Sequence, residues 1–268
     1  MGKEQIITLM IGIVAGLMPT IIQIVKDFYF ETWKTKRAIE SDFQRHKNWI
    51  VLAAVELCLI LRHIVVKDTP DFFDPKLLHT QPSRPATIFP DDLYYRKYYL
   101  VVSVYRLSAF LGWLELYRQD ITFLNSGEPD KRNYLDGNIE KIRNDLENDK
   151  LNRAPDREKW TDALILREEQ RAIGETMILS EGGTKIVIGY GKYCDLFNPL
   201  TGGGQDYWIE KATNFFLVQE SALRDFRPER IKHLIVHLVD LIELLNPERI
   251  RGNLSEWRTE YKRSLSGT

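Results

Sequence analysis

The chain has 268 residues, with 37 basic and 38 acidic side chains and a formal net charge of −1. This balance lacks the basic excess that a nucleic-acid surface requires, so we expect no nucleic-acid partner. The two cysteines, Cys58 and Cys194, lie in apolar stretches. They are predicted to be buried free thiols, which agrees with a reducing compartment.

The longest uncharged stretch covers residues 6–25. A helix of that length rises about 30 Å, the thickness of a bilayer's hydrocarbon core. The stretch is apolar on all sides, exceeds the apolar core of a secretory signal peptide and has no Ala-x-Ala-like cleavage site. Residues 1–27 are therefore predicted to be a transmembrane anchor, in preference to a cleaved leader or a soluble core helix.

The flanks of this stretch predict its orientation. Only Lys3 precedes it, whereas a basic series and the aromatic residues of positions 28–33 follow it. The basic residues after it are Lys26, Lys34, Lys36, Arg37, Arg45 and Lys47. Basic residues stay on the cytoplasmic side, and aromatic side chains favour the interface. We therefore predict a single-pass protein of the inner membrane, with residues 28–268 as a cytoplasmic helical domain.

Gly12 and Gly16 lie four residues apart within the apolar stretch. Small residues at this spacing share one helix face and let two transmembrane helices approach closely. The spacing predicts self-association through the span. The alternative is that these glycines are incidental, since glycine is common in membrane helices.

Residues 49–66 form a second, shorter apolar segment that contains Glu56. A run this short with an internal charge favours a buried core helix over a second membrane span. Residues 68–92 contain five prolines and are predicted to be an irregular connection. Residues 93–125 then carry apolar positions at helical spacing on more than one face, which predicts a central helix whose charges need partners.

The rest of the chain is also predicted to be helical. A narrow apolar stripe on a charged background, at Leu135, Ile139, Ile142 and Leu146, predicts an outer helix. Further helices are expected at residues 160–179, 207–224 and 228–245, and the polar tail is expected to be partly helical. Residues 186–188 allow a short strand, but no partner strand is evident, so a helix is favoured. The predicted fold class is all-α.

Charged residues interrupt the apolar pattern of two predicted helices. They are Arg106, Glu115 and Arg118 on the central helix and Glu168, Arg171 and Glu175 on the helix at residues 160–179. The favoured interpretation is an interior ion-pair network that fixes helix register, with Glu175 paired inside the body. The alternative is a polar pocket for an anionic ligand or for acid–base chemistry.

His233, His237 and Asp240 share one predicted helix face and are the weak candidates for a metal site. The zinc-protease pattern needs Glu directly after the first histidine, and Leu234 stands there. The apolar stripe of this helix also leaves both histidines on its flank. We therefore expect neither a metal nor a cofactor.

Several segments resemble a set of uncharacterised bacterial membrane-anchored all-helical proteins. They are Tyr105-Arg-Leu, Gly112-Trp-Leu-Glu115, the run from Arg118 to Leu124 and the run from Glu169 to Glu175. The resemblance implies a bacterial origin and an all-helical body. It implies no catalytic residue.

These observations favour a membrane-anchored interaction or regulatory module, such as a sensor or scaffold, with a protein partner or a second copy of the chain. Nothing in the sequence identifies a nucleophile, so a non-enzymatic role is favoured. Two alternatives stay open. One is a tethered enzyme or anionic-ligand receptor that uses the Arg/Glu set, and the other is a membrane-acting toxin or defence effector.

Overall fold

The computed structural model describes residues 2, 23, 26–31, 33, 34, 37, 44–65, 93–122, 129–148, 163–197, 206–217, 227–250 and 253–266. The described part of the chain is mostly helical, as predicted. Its contacts divide it into two compact units, Met1–Arg45 with Leu124–Gly127, and His46–Phe123 with Glu128–Thr268. We call the second unit the body. The predicted boundary between anchor and cytoplasmic domain, after residue 27, stays a prediction.

In the first unit, residues 26–31, 33, 34 and 37 are helical and exposed. Of the predicted span at residues 6–25, only Gln23 is described, and that residue is helical. Gly12, Gly16 and the proline-rich connection at residues 68–92 lie outside the described residues. The single membrane span and its packing therefore stay predictions.

Helices α1 (Gln44–Val65) and α2 (Leu93–Thr122) pair side by side and run antiparallel. Trp49 stacks on Trp113 near one end, and His63 stacks on Tyr99 near the other, with ring centroids 5.2 and 4.5 Å apart. Aromatic stacking therefore connects α1 and α2 toward both ends of the pair.

Both helices are long and apolar enough to cross a bilayer, a property that the core helix of a soluble protein shares. For α2, 78% of the apolar window is buried inside the protein, which confirms the prediction of a central helix. For α1 the buried share is 39%. Leu57, Cys58 and Leu61 face the core, whereas Leu59 on the other side is exposed.

Helix α3 (Pro129–Glu147) buries the predicted stripe of Leu135, Ile139, Ile142 and Leu146, which confirms it as an outer helix. The helix predicted at residues 160–179 is wrong at both ends, because α4 covers only Arg167–Thr176. The carboxylate of Glu169 accepts a hydrogen bond from the Leu166 backbone N–H (2.8 Å) and so helps to set the first turn of α4.

A β-hairpin follows α4, with strands β1 (Ile178–Glu181) and β2 (Thr184–Val187) paired antiparallel. The helix expected over residues 186–188 is therefore wrong. Gly182 and Gly183 have φ of 56° and 80°, the left-handed conformation that both central residues of a type I′ turn require. The partner of β2 is not evident from the sequence because the helix predicted at residues 160–179 takes in the first two residues of β1.

The remaining elements are α5 (Tyr190–Phe197), α6 (Tyr207–Phe216), α7 (Arg227–Leu245), a 3₁₀ turn (Pro247–Ile250) and α8 (Asn253–Ser266). Asp206 caps α6 by accepting hydrogen bonds from the N–H groups of Trp208 and Ile209. Helix α6 ends earlier than predicted because Leu217 has an extended backbone. The predictions of α7 and of a helix in the tail are confirmed.

The body is built around α2, which packs against α4, α6 and β2, while α7 packs against α3 and α8. Two glycines bring α2 close to its neighbours. A Cβ atom added at Gly174 of α4 would lie 2.7 Å from the Leu111 carbonyl oxygen, and one added at Gly112 of α2 would lie 3.0 Å from the Met177 Cβ. Close helix packing here therefore depends on the absence of side chains.

Candidate functional site

Four charged residues of α2, Arg106, Glu115, Arg118 and Asp120, have partners, as predicted for the charges of a central helix. Arg106 pairs with Glu56 of α1, a partner that the sequence analysis did not assign. Both side chains are about one-third exposed, at 32% and 33%. Near the first turn of α1, His46 Nε2 lies 2.8 Å from the Asp120 carboxylate. The helix pair α1–α2 thus has one polar contact near its middle and one near an end.

Glu115 is the most deeply buried of the six predicted site residues, with a side chain that is 1% exposed. Its carboxylate accepts hydrogen bonds from Arg118 Nε (2.8 Å), Arg118 Nη2 (2.5 Å) and Gln119 Nε2 (2.9 Å). Lys185 of β2 donates in turn to the Gln119 side-chain oxygen (2.8 Å). A hydrogen-bonded chain therefore connects the hairpin to the buried carboxylate.

This environment decides the protonation of Glu115. Burial by itself raises the pKa of the Glu115 carboxyl, but the hydrogen bonds from Arg118 and Gln119, with the positive charges of Arg118 and Arg171, outweigh it and hold the pKa below its ordinary value. The hydrogen bond to Glu115 likewise raises the pKa of Arg118 above its ordinary value. A carboxylate that is ionised and bound by three donors is a poor proton acceptor, so the arrangement suits a structural ion pair better than a general base.

The predicted interior network across α2 and α4 forms only in part. Arg171 pairs with Glu168 one turn away on its own helix (2.7 Å), and the Glu168 side chain is 76% exposed. Glu175 is exposed, so its predicted interior pairing is wrong. The face of α4 that contacts α2 carries Ile173 and Gly174 instead. Arg171, Glu168 and Glu175 still act on Glu115 and Arg118 through their charges.

A second polar cluster, which the sequence analysis missed, lies between α3 and α4. Arg167 pairs with Glu140 and Glu147, and the buried amide of Gln170 donates to the carbonyl oxygens of Arg143 and Ile165 (3.0 and 2.8 Å). Burial lowers the pKa of Arg143 below its ordinary value. No short-range sequence pattern connects these residues, because they lie up to 27 positions apart.

The histidines of α7 belong to a contact with α3. His237 Nδ1 lies 2.6 Å from the Asp145 carboxylate, and burial lowers the pKa of His233. Asp240 instead accepts hydrogen bonds from Arg258 (3.2 Å) and Lys262 (3.3 Å) of α8. Within the described ranges no group of three or more His, Cys, Asp and Glu side chains is arranged to hold a metal ion.

Arg230 completes this contact and was also missed. It is 1% exposed, and its guanidinium donates to the carbonyl oxygens of Asp145 (2.7 Å) and Asn148 (3.0 Å). Carbonyls in the last turn of a helix have no partner within the helix, so a guanidinium there satisfies them and complements the helix dipole. The α3 C-terminus is thus anchored by α7.

Cys58 and Cys194 are free thiols, as predicted; Cys58 is buried, whereas Cys194 is only partly buried, so the predicted burial of Cys194 is wrong. Burial raises the pKa of Tyr193, the neighbour of Cys194 in α5, and Tyr193 packs on Tyr105 of α2 with ring centroids 5.3 Å apart. These contacts fill the space between α2 and α5 with aromatic rings.

The described charged clusters are therefore satisfied mainly by one another. The resemblance to bacterial membrane-anchored helical proteins stays a prediction. Comparison of this chain with known protein families, with curated proteins and with solved structures finds no match.

Proposed function

We propose that this chain is a membrane-anchored interaction or regulatory module, a sensor or scaffold, whose helical body lies on the cytoplasmic face of the inner membrane. In this proposal residues 6–25 span the bilayer once. The body presents its surface to a protein partner or to a second copy of the chain.

The observation that carries the proposal is the exposed aromatic group that follows the apolar stretch. Phe28, Tyr29, Phe30 and Trp33 are 70%, 72%, 53% and 52% exposed. Large aromatic side chains with an apolar body and basic neighbours are enriched where a membrane span meets the headgroups. Four of them directly after a span-length apolar segment support an anchor at this point.

The polar clusters of the body support binding over catalysis. The Glu115 carboxylate, the Arg106–Glu56 pair and the Asp145–His237 pair each have partners within the protein. Such pairs fix the register of packed helices, and breaking one is costly. A body whose charged side chains are already paired with one another suits a scaffold.

One observation favours the ligand-receptor alternative. Arg118, Arg167 and Arg171 keep 39%, 38% and 33% of their side chains exposed. Guanidinium groups bind carboxylates and phosphates with two parallel hydrogen bonds, so this side of the body can contact an anion. The nearby Glu140, Glu147 and Glu168 compete for the same guanidinium groups.

The anchor is tested on the full chain in bacterial cells. We expect it to stay with the membrane after a carbonate wash, and a reporter that is active only in the periplasm to be silent when fused after Thr268. Release by carbonate contradicts the anchor, and an active reporter contradicts the orientation. Cross-linking in the same membranes tests self-association, and leakage of the bilayer on overexpression would favour the effector alternative.

A further inference from the structure

The helical residues just after the apolar stretch carry basic and aromatic side chains on one side. Lys26, Phe30, Trp33 and Arg37 are spaced by four, three and four positions, the spacing that places residues on one helix face. All four are exposed. We call these four residues, with Lys34, the basic-aromatic stripe.

Contacts within the stripe hold two of its three cations, Lys34 and Arg37, on the rings. The Lys34 Nζ atom lies 4.4 Å from the centre of the Phe30 ring, and the Arg37 guanidinium carbon lies 4.7 Å from the Trp33 ring. The rings of Phe30 and Trp33 stack, with centroids 6.3 Å apart and an angle of 22° between their planes. Cation–π contacts of this kind leave the outer side of each cation open to an anion.

We propose that the basic-aromatic stripe binds the headgroups of acidic phospholipids and lies along the membrane surface. The proposal rests on the anchor proposed above and adds the lipid class that the anchor contacts. Phosphate oxygens suit the ammonium and guanidinium groups, and the rings suit the boundary between headgroups and acyl chains.

The length of the segment supports the surface geometry. At about 1.5 Å per residue, a helix that continued along the membrane normal from residue 25 would place Trp33 about 12 Å and Arg37 about 18 Å beyond the hydrocarbon core. The headgroup layer of one leaflet is only roughly 5–8 Å thick. All five side chains reach the headgroups only if the segment runs along the surface.

Charge complementarity selects the lipid. The stripe contains three cations, and residues 26–37 as a whole carry four basic and two acidic side chains, so the segment is net positive. A basic side chain near an acidic lipid surface contributes about 1 kcal/mol, which corresponds to roughly fivefold in binding. A zwitterionic surface provides little of this attraction.

The experiment uses the full chain in phosphatidylcholine nanodiscs that contain a small, fixed fraction of a brominated lipid. Bromine atoms near the top of the acyl chain quench nearby tryptophan fluorescence. Brominated phosphatidylglycerol is compared with brominated phosphatidylcholine at the same mole fraction, and the signal of Trp33 is the difference between the parent and Trp33→Phe. We expect Trp33 to be quenched by both lipids and several-fold more effectively by the acidic one.

The double variant Lys34→Gln with Arg37→Gln should bring the quenching by the two lipids close to equal. Its matched control, Lys141→Gln with Arg263→Gln, removes two exposed charges from the body and should keep the parent's preference. Equal quenching in the parent, an equal loss in the control, or no quenching of Trp33 by either lipid would each overturn the inference. If the chain stays in carbonate-washed membranes while any of these occurs, only the lipid inference fails. If the chain is released, the proposed anchor fails.

Discussion

Replacement of Gly174 by alanine tests the closest helix contact in the body. In a helix interior alanine is favoured over glycine by about 1 kcal/mol, so propensity alone predicts a gain in stability. Packing opposes it, because the added Cβ would lie 2.7 Å from the Leu111 carbonyl oxygen and 2.9 Å from the Glu115 Cβ. Neither atom is the free end of a flexible side chain, so α2 and α4 must move apart.

Overpacking of a well-packed core costs typically about 1–3 kcal/mol, and a clash with backbone belongs at the upper end of that range. Subtracting the gain in helix propensity leaves an expected net loss of about 2 kcal/mol. For a body of this size each kcal/mol shifts the melting temperature by about 2–4 °C. Gly174→Ala should therefore melt about 4–8 °C below the parent.

Gly137→Ala is the matched control. Gly137 lies inside α3, is exposed, and has no atom within 4 Å of the position of an added Cβ. Only the propensity gain applies, so this variant should melt about 2–4 °C above the parent. Thermal unfolding of both variants, followed by circular dichroism at 222 nm, gives the comparison. A Gly174→Ala protein that melts at or above the parent, beside a stabilised Gly137→Ala, would show that the α2–α4 contact is not close.

Glu115→Gln should cost about 1–3 kcal/mol, because it weakens a buried, charge-assisted contact with Arg118, whereas Gln at the exposed Glu168 should cost little. The pKa of Glu115 is lowered in the folded state, so the ionised carboxylate contributes fully to the free energy of unfolding above about pH 4.5 and loses this contribution as the pH falls below that value. When the free energy of unfolding is measured by chemical denaturation from pH 7 to pH 3, it should therefore fall less with pH in Glu115→Gln than in the parent. Burial lowers the pKa of His233, so the unfolded chain takes up the proton first and stability falls as the pH drops below about 6.5; His233→Gln should remove that part of the pH dependence in the same assay. Arg230→Met leaves two carbonyl groups at the end of α3 unsatisfied and should cost about 2–4 kcal/mol in urea unfolding, while the exposed Arg263→Met should change stability by less than about 0.5 kcal/mol. An unchanged Arg230→Met protein would mean that water replaces the guanidinium.

The sequence predicts the long helices well because each carries a sustained apolar period. Helix α2 begins at Leu93 as expected, and α7 ends at Leu245 before a proline. The hairpin was missed although Gly182-Gly183 between two short runs is a recognised turn signal. The helix predicted at residues 160–179 takes in Ile178 and Leu179 of β1, so no partner strand is evident for residues 186–188.

The candidate site was predicted less well, because α4 buries a different face from the one that the sequence pattern indicates. The buried face of this helix carries Gln170, Ile173 and Gly174. Neither an amide nor a glycine counts as an apolar position, so the sequence pattern indicates a different buried face, the one through Glu168, Arg171 and Glu175. Gln170 is buried because its amide donates hydrogen bonds to backbone carbonyl oxygens. Gly174 is buried because α2 packs so closely that a side chain at this position would clash with it. Neither reason can be read from residues nearby in the chain.

The anchoring of α3 by α7 has a consequence for synthesis of the protein. The side chains that bind the C-terminal turn of α3 are synthesised late, since Arg230 and His237 lie 85 and 92 residues beyond Asp145. At 5–20 residues per second, a ribosome needs roughly 4–17 s to add 85 residues. During that interval the nascent chain exposes the apolar stripe of α3 and the terminal carbonyls beside it. This interval is when chaperones and proteases have access to the unfinished body.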